Sequence, residues 1–177
     1  MELFEHYSGT KFNKDKCLPI ENIGWVIPSG GYWGTLANSD FSWNRYIHMI
    51  GLSESMFPLE CEDRDGMLIC HTNYRYKTTF ALKDESRIYR IETLEDLQFL
   101  TNKYPAKVNA FNVINYEKLV KSGWIDAIYF DHNMSHTGMN QSLFIWMYTK
   151  GCDMILVLNP DSIKIVSEEA INNTMNE

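Results

Sequence analysis

Apolar positions in the first half of the chain recur with the short periods of strands. Residues 3–8 predict a first strand, and the apolar, β-branched run at 23–27 predicts a second. Pro28-Ser29-Gly30-Gly31 breaks that run, and residues 32–35 resume as a strand carrying two aromatics. Trp43, Tyr46, Ile47 and Ile50 then fall at i, i+3, i+4 and i+7, the stripe of a helix that Ser42 is placed to cap and Gly51 to end. The segment 58–66 carries Glu60, Glu62, Asp63 and Asp65 and reads as a polar loop. Residues 67–71, 76–82 and 87–91 read as further strands.

The second half adds helices. Thr93-Leu94-Glu95-Asp96 has the form of a capping box with Asp at its last position, and Leu94, Leu97, Leu100 and Tyr104 form the stripe behind it. Pro105 stops that helix. Asn115 caps another, with Tyr116, Leu119 and Val120 on one face and Gly123 after its end. Residues 124–130 predict a strand, 131–138 a polar loop, 154–158 a buried strand and 163–166 a last short strand. Strands outnumber helices and do not alternate with them, which argues an α+β fold rather than a doubly wound sheet. Residues 1–166 are expected to form one domain and 167–177 a polar tail.

Composition narrows the class. The chain has 177 residues, 45% of them apolar, enough to fill the core of one domain. A net charge of −7 does not suit a duplex nucleic acid as partner, because phosphate binding needs a basic surface. The longest apolar stretch, 154–158, is far below a membrane span, and the acidic N-terminus lacks the lysines of an export signal. The four cysteines, Cys17, Cys61, Cys70 and Cys152, form no CxxC pair, so they are read as reduced thiols in a cytoplasm. His132 and His136 stand four apart, but the residues around them favour a loop, and no metal site is expected there. Cys70-His71 is no nucleophile–base pair either, because neighbours on a strand face opposite sides. Neither GxGxxG nor GxxxxGK[ST] occurs.

Two segments stand out together: His6-Tyr7-Ser8-Gly9-Thr10 at the end of the first strand, and Pro28-Ser29-Gly30-Gly31-Tyr32-Trp33-Gly34-Thr35. Each residue alone has a structural explanation: a strand-end His, a Gly-Gly turn, a core Trp. Their co-occurrence in this order resembles the first two motifs of the mono-ADP-ribosyltransferases. Arg87-Ile88-Tyr89-Arg90-Ile91, Gly123-Trp124-Ile125-Asp126-Ala127-Ile128 and the run from Cys152 to Pro160 extend the resemblance over nearly the whole chain.

The resemblance implies a split β-sandwich, two small packed sheets with flanking helices and an NAD cleft between them. It implies that His6, Tyr7, Gly9 and Thr10 hold the NAD ribose, and that Gly30, Gly31, Trp33, Thr35 and Tyr46 line the nicotinamide pocket. The chemistry fits these residue types. Aromatic rings stack on the flat nicotinamide cation, and glycines let the backbone approach its carboxamide. Glycosidic cleavage builds positive charge on the ribose, which a carboxylate stabilises. Where the family places a Glu before a late strand, this chain has Asp153, one methylene shorter; Glu117, on the polar face of its helix, is the second candidate. The implied activity is transfer of ADP-ribose from NAD to a macromolecular acceptor, a protein, with nicotinamide released and Asp153 and His6 as catalytic residues. NAD hydrolysis is a close variant. The alternative from another class is an acidic binding protein that keeps the fold, lacks catalysis, and occupies a partner or sequesters a nucleotide.

Overall fold

Seven strands in the order β11-β5-β1-β2-β10-β9-β6 make one mixed sheet in the computed structural model, which describes residues 1–24, 26–42, 59–64, 67–72, 75–108, 111–136 and 152–171. Its members are β1 (Phe4–Ser8), β2 (Tyr32–Leu36), β5 (Tyr76–Leu82), β6 (Ile88–Ile91), β9 (Ala127–Phe130), β10 (Met154–Val157) and β11 (Ile163–Ala170). Every pairing is antiparallel except β6 with β9. Two hairpins stand beside it: β3 (Leu59–Arg64) with β4 (Met67–Thr72), and β7 (Pro105–Val108) with β8 (Phe111–Ile114). Two α-helices, α1 (Leu94–Lys103) and α2 (Tyr116–Ser122), and three short 3₁₀ turns complete the described elements, so the domain is α+β, as expected.

The period of two along each strand divides the sheet's side chains between two cores. Phe4, Tyr32, Phe80, Tyr129, Ile155 and Val157 share one face, against which Phe12 and Cys17 pack. Leu156, Ile128, Phe130 and Ile91 share the other, where α1 brings Leu97 and Leu100, and α2 brings Tyr116 and Leu119. Both helices begin as their sequences direct. Thr93 accepts from the Asp96 amide while the Asp96 carboxylate accepts from the Thr93 amide, the reciprocal capping box. Asn115 accepts from the Lys118 amide, and Gly123 ends α2 in the left-handed region at φ 58°.

Several expectations give way. The run 23–27 is not a strand: Glu21 and Ser29 pair as an isolated bridge and close a loop, Gly24 turns at φ 75°, and Ile23 is exposed while Val26 is buried. A run of apolar residues is the wrong length of evidence where a left-handed turn interrupts it. The polar segment expected as a loop at 58–66 contains β3, which pairs with β4 through its backbone. The hairpin β7–β8 directly follows α1 and carries no pattern long enough to read. β11 runs four residues into the expected polar tail, because Ser167 to Ala170 continue to pair with β5. The described residues form one seven-stranded sheet and two hairpins. The expected helix from Trp43 to Ile50, with Tyr46, lies outside the described residues.

Candidate functional site

The residues expected to hold the ribose and the nicotinamide of one NAD cleft fall on opposite faces of the sheet. His6 stacks on Tyr32 with ring centroids 4.3 Å apart, on the face that holds Phe80. Trp33 and Thr35, one and three residues along β2, point to the other face; Trp33 stacks on Phe130 at 6.3 Å. The His6 ring is bound internally: its Nδ1–H donates to the Trp33 carbonyl at 2.6 Å, and burial, partly opposed by that bond, pulls its pKa below the usual histidine value. Tyr7 donates to Glu5 at 3.0 Å, and the Thr10 carbonyl accepts from Ser8 beside Gly9.

Gly30 and Gly31 answer to packing. Both have positive φ, at 74° and 70°. A Cβ on Gly30 would sit 1.9 Å from the Pro19 carbonyl oxygen, and one on Gly31 would meet Leu156 at 2.6 Å. The segment 17–20 therefore fills the space that a ligand would need for a close backbone approach. Beside it, a groove of about 520 Å³ runs between residues 17–22 and α2, lined by Gly31, Glu117 and Lys121 among others. Glu117 is engaged there: its carboxylate accepts from the Asn22 amide at 3.0 Å, which ties the loop to the start of α2.

Asp153 is placed differently. It precedes β10 and is fixed through its backbone: its carbonyl accepts from Thr35 Oγ1 at 2.8 Å, and its amide donates to the Phe41 carbonyl at 2.9 Å. Thr35 and Asp153 are thus brought together, whereas His6 and Asp153 have separate partners. The side chain of Asp153 is 6% exposed. One carboxylate oxygen accepts from Ser39 Oγ at 2.5 Å; the other accepts from the His132 amide at 3.1 Å and from His132 Nδ1–H at 2.9 Å. Burial pushes the Asp153 pKa up, but the bonds from Ser39 and His132, with the His132 charge, outweigh it and hold the carboxyl below the usual range.

The expected loop from Asp131 opens as a 3₁₀ turn (His132–His136), and this turn delivers His132. The ring lies flat on Phe41, with centroids 3.6 Å apart and planes 9° apart. An Asp131 carboxylate oxygen approaches the same Nδ1 at 3.6 Å. Asp131, His132 and Asp153 each offer one donor atom, all within 4.8 Å of one another, a set that could also take a divalent cation. That set differs from the His132–His136 pair weighed from the sequence; the His136 side chain lies outside the described residues. Tyr129 is close enough that burial, and then the Asp153 charge, drive its hydroxyl far above the usual tyrosine pKa. The same two causes push the neighbouring Cys152 thiol up to about 12, which leaves it protonated and a poor nucleophile at neutral pH.

Nδ1–H donates to Asp153, which fixes the orientation of the imidazole and stabilises its charged form. An ionised carboxylate behind an oriented imidazole is an arrangement for proton transfer. Sequence reasoning had Asp153 but missed Ser39, Phe41 and His132 as its partners, since only the sheet order β2-β10-β9 makes them neighbours. Comparison of the chain with protein-family models, with curated proteins and with solved structures finds no match. Among the described residues no helix is long and apolar enough to cross a membrane.

Proposed function

We propose that this chain transfers ADP-ribose from NAD to a macromolecular acceptor, and that the reaction is centred on Asp153 and His132. The resemblance of the sequence supplies the substrate class. The observation that carries the site is the pairing of an ionised, oriented Asp153 with the His132 ring at the start of β10, where the resemblance expects an acid. His132, rather than His6, has the placement of an acid–base group. As the acceptor nucleophile forms its bond to the ribose C1′, the neutral form of the His132 ring takes the acceptor's proton. The bond from C1′ to the nicotinamide nitrogen breaks, and its electron pair neutralises the pyridinium ring. Asp153 stabilises the imidazolium that results, and Phe41 fixes the plane of the ring.

The test is incubation of the full-length protein with NAD, with free nicotinamide followed by chromatography. Wild type is expected to release nicotinamide, and Asp153→Asn to lose roughly 10²- to 10³-fold in rate, the usual cost of removing one preorganised electrostatic group. Circular dichroism checks that the variant is folded. A second reading has its own observation: both Asp153 oxygens are already satisfied by Ser39 and His132, as in a purely structural acid. Absence of turnover in wild type, together with a melting shift on NAD or ADP-ribose, selects the binding protein.

A further inference from the structure

At the opposite end of β9 from Asp131, four aromatic side chains from separate pieces of the chain converge. Tyr89 comes from β6, Phe99 from α1, Tyr104 from the cap that ends α1, and Trp124 from the residue after Gly123, which ends α2. Tyr89 lies 5.5 Å from Trp124 and 5.9 Å from Phe99 between ring centroids. Phe99 lies 6.1 Å from Trp124 with planes at 56°, and Tyr104 lies 6.2 Å from it at 29°. Tyr89, Tyr104 and Trp124 pack half-buried against the edge of the core, and Phe99 stands outside it. Leu97 and Leu100 of the same helix are buried, whereas Phe99 stays 49% exposed.

A cation already sits among them. Lys103 Nζ is 3.4 Å from the centroid of Trp124, 5.4 Å from Phe99 and 5.7 Å from Tyr104. Three rings thus lie within the range where the negative face of an aromatic attracts a positive charge. The backbone adds to this field. α1 ends at Lys103, and Tyr104 Oη donates to Ser122 Oγ at 3.1 Å, which holds the end of α2 beside the end of α1. Helix C-termini carry partial negative charge, so the corner favours a cation over a neutral apolar group. A primary ammonium is a weak match for such a site, because it is compact and strongly hydrated. A trimethylammonium group spreads the same charge over methyl groups that contact ring faces directly.

We propose that Phe99, Tyr104 and Trp124 form an aromatic cage for a trimethylammonium group, the head of choline or of a trimethylated lysine side chain, and that Lys103 is the tethered occupant it displaces. The cage is independent of the Asp153–His132 site, and its test does not involve NAD. In the full-length protein, the indole N–H signal of Trp124, assigned by its loss in Trp124→Phe, is followed while choline, Nε-trimethyl-lysine, lysine or the neutral carbon analogue 3,3-dimethylbutan-1-ol is added. Wild type and Lys103→Ala are compared. Lys103 is exposed, so its removal leaves the fold intact, which a melt verifies. Both trimethylammonium compounds are expected to shift the signal saturably, and the tighter of the two identifies the source of the group. Lys103→Ala is expected to bind at least about tenfold tighter than wild type, because an internal competitor at high effective concentration has been removed. No saturable shift in Lys103→Ala would overturn the proposal. So would a shift by the neutral analogue at the same concentrations, which would mean an apolar patch without selection for charge.

Discussion

Two buried aspartates hold their carboxylates in different settings. Asp126 binds the Arg87 amide at 3.0 Å, Arg87 Nε at 3.1 Å and Asn159 Nδ2 at 3.0 Å, so one carboxylate joins the starts of β6 and β9 to the end of β10. Asp153 binds Ser39 and the ring of His132. For both, burial works to raise the pKa, and the hydrogen bonds and neighbouring positive charge prevail and lower it. The folded state therefore binds fewer protons than the unfolded chain between the depressed pKa values and the usual carboxylate range. The stability these groups contribute is complete above that range and is lost as pH falls through the folded values. Urea unfolding between pH 7 and pH 3 should show this acid limb, and Asp126→Asn should flatten it while costing about 1–3 kcal/mol at neutral pH. An unchanged limb in both Asp126→Asn and Asp153→Asn would place the acid sensitivity elsewhere. Asp153 was legible in the sequence as an acid before an apolar strand. Its partner was not, because Asp153 and His132 meet only through the pairing of β10 with β9.

Local signals served the elements well where they were complete in themselves. The Thr93–Asp96 box, the Asn115 cap and the Gly123 stop needed no tertiary information, and the structure has all three. β1, β2, β5 and β10 were marked by apolar or alternating runs bounded by turn residues. The hairpin β3–β4 was half hidden, because Leu59–Arg64 is mostly charged and pairs through its backbone all the same. Gly30 and Gly31 were correctly read as a break, but the reason for them is the segment that passes over them. Gly31 N–H donates to the Leu18 carbonyl at 3.0 Å, and the Pro19 carbonyl occupies the space of a Gly30 Cβ. Gly30→Ala is therefore expected to destabilise the protein by at least ~1–3 kcal/mol, the cost of a left-handed non-glycine residue before the clash is counted. A denaturant melt measures it. If Gly30→Ala melts like wild type but loses affinity for NAD, the glycine serves a ligand after all.

Across the whole molecule, the sheet sorts the candidate residues. It sets the half-buried His6 against Tyr32, turns Trp33 and Thr35 to the helix-covered face, and gathers Asp153, Ser39, Phe41 and His132 where β2 and β9 end and β10 begins. The α+β class could be read from the ratio and order of elements. The sheet order could not, because five of its six pairings are antiparallel contacts whose register depends on strands distant in sequence. With the proposed chemistry at Asp153 and His132, His6 is left a structural role, its ring bound to the Trp33 carbonyl and set against Tyr32. Nicotinamide release from NAD by His132→Asn and His6→Asn, each confirmed folded and compared with wild type, tests this assignment most directly. Turnover by wild type is expected, with a loss of roughly 10²- to 10⁴-fold in His132→Asn, as for removal of a general acid–base group, and near-normal turnover in the folded fraction of His6→Asn; full activity in His132→Asn, or its loss in a folded His6→Asn, would rule out His132 as the acid–base group.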